Sequence, residues 1–201
     1  MIDPLDIIVF VEDPGSVNML LSLPKFLDFE SLSWKYIAHG VAKKYVQVNL
    51  WPKSNELCDK TAELVIKFHQ PKLLIVGSSE NVNSFGVSLI AAAKSAGIKT
   101  IGLVDMAVNA EFRFPPTITG KRNNKPDIVA VVDDFTRAEF LKQGYAANSV
   151  VNIGHPLYDN VWEKRRHLHA KPNKDYNDDT WLFLAEPADL LSPTASFRNE
   201  E

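Results

Sequence analysis

One cysteine, Cys58, stands in 201 residues. This excludes an internal disulfide framework and a zinc site built from a cysteine cluster within the chain, and it fits a reducing compartment. Long hydrophobic runs are also lacking: no apolar stretch approaches the ~18 residues of a membrane span. The opening Met1-Ile2-Asp3-Pro4-Leu5-Asp6 carries two acids where a signal peptide needs bases. The expectation is a cytoplasmic protein without a transmembrane segment. Positive charge is not in excess either. The 22 basic and 25 acidic side chains leave a net charge of −3, which argues against a surface that neutralises many phosphates of nucleic acid. Hydrophobic residues at 45% and charged residues at 23% are those of an ordinary globular chain. The length is about 1.3 times the ~150 residues of a typical domain.

Several chemical signatures are missing. There is no G-x-G-x-x-G dinucleotide fingerprint and no G-x-x-x-x-G-K-[ST] P-loop. The turn Gly77-Ser78-Ser79-Glu80-Asn81 lacks the second glycine of a nucleophile elbow. His39, His69, His155, His167 and His169 show no H-E-x-x-H or comparable spacing, so no metal site and no cofactor are expected.

What the chain does have is a rhythm. Uninterrupted apolar runs at 6–12, 35–38, 72–77, 99–105, 127–133 and 150–154 read as strands buried on both faces of a parallel sheet. Between them lie segments of helical period. One runs from about Ser54 to His69, with Ser54 as cap and Pro71 as stop; Cys58 sits beside its apolar stripe. Another runs from Ser84 to Ala96 and ends at Gly97, a third from Asp134 to Gln143 ends at Gly144, and a fourth starts at Pro156 and runs to Arg166. The fold class is therefore α/β: a doubly wound, mostly parallel sheet with helices on both faces, joined by right-handed crossovers. Two stretches break the rhythm. Met106 to Lys125, with Pro115-Pro116, Gly120 and Lys121-Arg122, is too long for a routine loop and reads as functional or mobile. Residues 167–179 read as a polar linker, and Thr180-Trp-Leu-Phe-Leu-Ala185 as the opening strand of a second sheet with nothing after it to pair. The expected organisation is a domain at 1–166, the linker, and at 180–201 the first strand of a truncated second domain.

Candidate site residues fall at strand ends, where ligands collect in open α/β sheets. After the first strand, Glu12-Asp13-Pro14-Gly15-Ser16-Val17-Asn18 opens a helix that continues through Met19-Leu20-Leu21. Gly15 and Asn18 either meet a phosphate, carboxylate or sugar hydroxyl or form a plain tight turn. Ser78 and Ser79 either contact a ligand or cap a helix. Asp105, at the end of a buried strand, precedes Asn109, Glu111 and Arg113 in the long loop. Asp105 there is either a general base with Arg113 holding an anion, or half of an ion pair that pins the loop. His155 in Gly154-His155-Pro156-Leu157-Tyr158-Asp159 either donates to a ligand while neutral or is a structural turn residue; Asp159 lies one turn on.

This order of turns resembles the N-terminal domain of GT-B-type glycosyltransferases and UDP-N-acetylglucosamine 2-epimerases. A Gly-x-Pro-x-x-Asp segment closes the first Rossmann-like domain in those proteins, and Gly154, Pro156 and Asp159 match it. Asp105, Asn109, Arg113 and Phe114 look like a D-x-x-x-N-x-x-x-R-F pattern of bacterial relatives. The chain departs from the transferases in having only Gly15 where they carry a glycine-rich loop. The resemblance spans about 6–166 and implies a Rossmann-like, acceptor-side half. A second domain, not contained here, would then hold most nucleotide-sugar contacts. On that reading Asp105 and His155 are the catalytic candidates, and Gly15, Asn18, Ser78, Ser79, Asn109, Arg113 and Asp159 bind ligand. The partners implied are a nucleotide-sugar donor and a sugar or other hydroxyl acceptor, in polysaccharide or cell-envelope metabolism. The competing reading is a non-catalytic module that binds a small anion, a sugar or a partner chain, including a second copy through strand 180–185. A flavodoxin-like or receiver-like regulator is a third; no acidic pair after the first strand with a matching late lysine supports it.

Overall fold

A computed structural model of the chain describes residues 4–46, 61–81, 84–114 and 125–169. The expected Ser54 cap, Cys58, Pro115-Pro116, Gly120, Lys121-Arg122 and the strand at 180–185 lie outside the described residues. All six strands form: β1 (Ile7–Val11), β2 (Trp34–Ala38), β3 (Leu73–Gly77), β4 (Lys99–Val104), β5 (Ile128–Val131) and β6 (Val150–Asn152). They pair in parallel throughout, in the order β2-β1-β3-β4-β5-β6. The order reverses between β1 and β3, which is where open α/β sheets form a crevice beyond the strand ends.

Alternate residues of β1 to β5 feed two cores, as the period of two requires. Ile8 and Phe10 of β1, Leu74 and Val76 of β3, and Val129 and Val131 of β5 pack with α3 (Ala62–His69), α4 (Phe85–Ser95) and α5 (Asp134–Lys142). Ile7, Val9 and Val11 face the other way, with Ile75, Leu103 and Tyr36, toward α1 (Pro14–Met19) and α2 (Leu23–Phe29). Phe10, Tyr36 and Phe140 are completely buried, each contributing on the order of 2–3 kcal/mol through apolar area removed from water. A cavity of about 340 Å³ on the α1–α2 side is apolar, lined by Leu20, Leu23, Phe26, Ile101, Leu103 and Ile153 among others.

Helix boundaries follow local chemistry. Ser84 caps α4 by accepting from Val87 N, and Asp133 caps α5 by accepting from Thr136 N. Gly97 and Gly144 follow these helices at φ +74° and +81°, the left-handed position that a glycine fills without penalty. The cap of the last helical turns before β3 is Thr61, whose hydroxyl accepts from Leu64 N. One reading needs correction: the helix after β1 stops at Met19, so Leu20 and Leu21 lie beyond it and a second helix starts at Leu23. Pro24 explains the break, because it lacks an N–H and its ring opposes a continuous helix, yet it suits the first turn of a new one. The last helix, α6 (Leu157–His169), continues past Arg166. No proline or glycine interrupts residues 157–169, so the first residues read as linker remain helical. The chain divides into a compact unit at 1–164 and a second at 165–201; of the latter, only the end of α6 is described.

Candidate functional site

The carboxyl ends of β1, β3 and β4 meet at the switch point. Gly15 is the N-terminal element of this arrangement. A Cβ placed there would land on Oδ2 of Asp105, with Asp105 Cγ at 2.8 Å, so the absence of a side chain admits the carboxylate against α1. Gly77, at the end of β3, works in the same way for Ser16: a Cβ would overlap its side chain. Ser16 Oγ donates to Ser78 O at 3.2 Å, joining the first helix to the β3 turn.

Arg113 is the centre. It is 5% exposed, and its guanidinium donates from NH1 to Ser78 Oγ at 3.1 Å and from NH2 to Glu80 Oε1 at 3.0 Å. NH1 also lies 3.6 Å from Asp105 Oδ1. Asn109 Nδ2 donates to the other Glu80 oxygen at 3.0 Å. Two buried atoms of this group, Arg113 Nε and Asp105 Oδ1, have no hydrogen-bond partner among the described residues. Unused buried hydrogen-bonding capacity of this kind is costly in a purely structural network.

The backbone that delivers Arg113 is unusual. Asn109 has φ +57° and Phe114 φ +53°; the first suits an asparagine, whereas the second is a rare conformation for a bulky residue, worth about 1–3 kcal/mol of strain. Burial of the Phe114 ring offsets it. The ring lies where a Cβ on Gly102 would be, its Cζ 2.5 Å from that position, and Phe114 is 2% exposed.

Electrostatics at this rim disfavour further negative charge. Asp13 is pushed above the ordinary carboxyl range, first by burial; its bond with Ser79 and the nearby Arg113 act against that, while Asp105 and Glu80 reinforce it. Glu12 is raised as well, again chiefly by burial. Glu80 and Asp105 pair with one guanidinium and Asp13 feels its charge, so carboxylates outnumber cations here.

The structure brings together Gly15, Ser78, Ser79, Asp105, Asn109 and Arg113. Of the two readings of Asp105 and Arg113, the structure contains the ion pair, Arg113 NH1 to Asp105 Oδ1 at 3.6 Å. Neither Ser78 nor Ser79 is the helix cap, which is Ser84; Ser79 Oγ instead accepts from Asn81 N at 3.1 Å. Asn18 is exposed near the end of α1. His155 follows the edge strand β6, two strands from β4, where its Nδ1 accepts from Leu157 N at 3.3 Å and its ring stacks on Tyr158. Asp159 is exposed in the first turn of α6. Glu80, Asp13 and Glu12 were missed as site residues. The signal for them was an acid in each of two strand-end turns, Glu12-Asp13 and Ser78-Ser79-Glu80. No group of His, Cys, Asp and Glu able to hold a metal ion occurs among the described residues, and no described helix is long and apolar enough to cross a membrane.

No protein-family model and no curated protein matches the chain. Solved structures do. The UDP-GlcNAc 2-epimerase of Methanocaldococcus jannaschii is similar with a TM-score of 0.54 at 12% identity, over 82% of this chain and 51% of that one. The enzyme of Rickettsia bellii gives 0.53 at 11% identity, over 85% and 50%. The Neisseria meningitidis enzyme, bound to UDP-GlcNAc, gives 0.55 at 8% identity, over 81% and 49%. The chain spans about half the length of each of these structures. What it shares with them is the fold: a six-stranded, all-parallel, Rossmann-like sheet that matches one half of the GT-B-like UDP-GlcNAc 2-epimerases.

Proposed function

We propose that this domain is the sugar-binding, acceptor-side half of a nucleotide-sugar enzyme of the epimerase or glycosyltransferase type, serving polysaccharide or cell-envelope sugar metabolism. The observation that carries the reading is the Arg113 group at the switch point, with Asp13, Glu80 and Asp105 around a single buried guanidinium. An excess of carboxylate acceptors suits the hydroxyl donors of a sugar and repels a phosphate anion. The nucleotide is accordingly assigned to a second Rossmann-like domain outside these residues. Asp105 serves as the proton acceptor: Arg113 fixes it, Gly15 gives it room, and its Oδ1 has a lone pair to spare. The neighbouring solved structures support the substrate class, because two of them are described as complexes with UDP-GlcNAc.

Thermal shift of the 201-residue chain with UDP-GlcNAc, N-acetylglucosamine and UDP tests the reading. The two sugar-bearing ligands are expected to raise Tm, UDP alone is not, and Asp105→Asn is expected to reduce the response. An equal shift with UDP alone would move the nucleotide onto this domain. No shift with either sugar ligand at millimolar concentration defeats the proposal and favours a binding module for another ligand.

A further inference from the structure

A second polar site lies beside the first, at the carboxyl ends of β1 and β2. Parallel pairing sets Val11 against Ala38, so the next residues, Glu12 and His39, emerge side by side; His39 N donates to Val11 O at 2.8 Å. The His39 ring packs near Phe10 and Phe85, with centroids 6.3 and 6.1 Å away, and its Nδ1 is 4.0 Å from Glu12 Oε2. Glu12 is 5% exposed whereas the His39 side chain is 46% exposed. With Nδ1 turned to the carboxylate, the opposite ring nitrogen, Nε2, is the one left for a ligand.

Glu12 is not required by the helix it touches. Its Oε2 accepts from Phe85 N at 3.3 Å and is bonded by the Ser84 hydroxyl, but Ser84 already caps α4 through Val87 N at 3.3 Å. The other oxygen, Oε1, is sealed from solvent and has no hydrogen-bond partner among the described residues. A buried carboxylate with an idle oxygen costs stability unless a donor approaches; Phe85 N and the His39 ring both lie on the side of the other oxygen, Oε2. Burial raises the Glu12 carboxyl above its ordinary range, the neighbouring Asp13 adds to that, and His39, Ser84 and Phe85 N act against it.

We propose that Glu12 and His39 form a paired site in which the buried carboxylate positions the imidazole, and His39 Nε2 accepts a hydrogen bond from the hydroxyl of a sugar-like ligand. Glu12 is the positioning residue: its carboxylate, 4.0 Å from Nδ1, draws the ring N–H to that side and leaves Nε2 as the acceptor. The inference goes beyond the function proposed above, because it concerns the ends of β1 and β2 and requires no ligand on Arg113.

Ethoxycarbonylation of the His39 imidazole by diethylpyrocarbonate, which releases ethanol and CO2, followed by peptide mass spectrometry on the full chain, reads the nucleophilicity of the ring. At neutral pH, Glu12→Gln is expected to slow modification of His39 several-fold, with His69 and His155 in the same digest unchanged, and Glu12→Asp is expected to restore part of the rate. Equal His39 rates in wild type and Glu12→Gln would overturn the pairing. Should Glu12→Gln fail to fold, by circular dichroism, wild type against Glu12→Asp decides: the shorter carboxylate must slow His39, and an unchanged rate overturns the pairing. N-Acetylglucosamine at millimolar concentration is expected to protect His39 in wild type and equally in Asp105→Asn. Absence of protection, or its loss in Asp105→Asn, overturns the ligand assignment and returns any sugar binding to the Arg113 group.

Discussion

The two ends of the sheet are built from the same residue types and differ in how completely those residues are satisfied. At the amino end, Asp6 before β1 accepts from Ser33 N, Ser33 Oγ and Lys72 Nζ, at 2.8, 2.7 and 2.7 Å. It thereby ties together the starts of β1, β2 and β3. Asp127 before β5 accepts from Thr100 N and Oγ1 of β4, at 2.9 and 3.0 Å, and pairs with Lys94. Both carboxyls are held below the ordinary range, Asp6 first by its bond with Lys72; for Asp127 burial acts upward, and the bonds with Thr100 together with Lys94 and Lys99 outweigh it. At the carboxyl end, Glu12 and Asp13 are pushed the other way by burial, and Glu12, Asp105 and Arg113 each keep an atom without a hydrogen bond among the described residues. One end is a set of clamps that stabilise the sheet. The other holds polar capacity in reserve, which is the expected condition of a binding site.

The largest test of this contrast is Arg113→Ala. Removing a buried guanidinium leaves Asp105, Ser78 and Glu80 without their shared partner, and the loss is expected to be about 3 kcal/mol in urea unfolding, together with the sugar response. A loss below about 1 kcal/mol would make Arg113 a peripheral residue. Next comes Asp127→Ala at the clamped end, expected to cost about 2 kcal/mol for two bonds to a charged acceptor and to leave ligand responses intact. Loss of those responses would mean that the two ends are not separable.

The pH dependence separates the ends by sign. A carboxyl lowered by folding, as in Asp6 and Asp127, stabilises the protein above its unfolded pKa, ~3.9 for aspartate. That stability is lost only as pH falls further. A carboxyl raised by folding, as in Glu12, costs stability at neutral pH, and the cost disappears as pH falls toward the unfolded value, ~4.3. Glu12→Gln is therefore expected to be more stable than wild type at pH 7, with the difference closing toward pH ~4.3. The deficit of Asp127→Ala should persist through that interval. Parallel curves for the two variants would break the distinction. The smallest expected effect belongs to His155→Ala: one half-exposed acceptor bond to Leu157 N is lost, within about 1 kcal/mol, and sugar-induced shifts in Tm are unchanged. Loss of the shifts would bring β6 into the site.

Much of the scaffold was legible because its causes are local. Each strand was an unbroken apolar run, the helical periods began at Ser84 and Asp134, and Gly97 and Gly144 announced helix ends. The break at Leu20 was missed although Pro24 signalled it, since the apolar residues continued across it. Of the site, Asp105, Asn109 and Arg113 were visible as one polar cluster after a buried strand. Their anchor Glu80 was not, because Glu80 and Arg113 meet only when β3 and β4 are neighbours. The pairing of Glu12 with His39 was equally hidden, depending on the register that sets Val11 beside Ala38.

The sequence by itself determined the six strands, the helical connections between them and the polar residues at their ends, since hydrophobic period and capping act over a few residues. Only the tertiary structure decided that β1 lies between β2 and β3. That order makes the switch point, lets Gly15 admit Asp105 from far along the chain, and leaves Arg113 among carboxylates rather than in solvent. Such convergence depends on which strands become neighbours, a choice made by packing the whole sheet and invisible to any short stretch of residues.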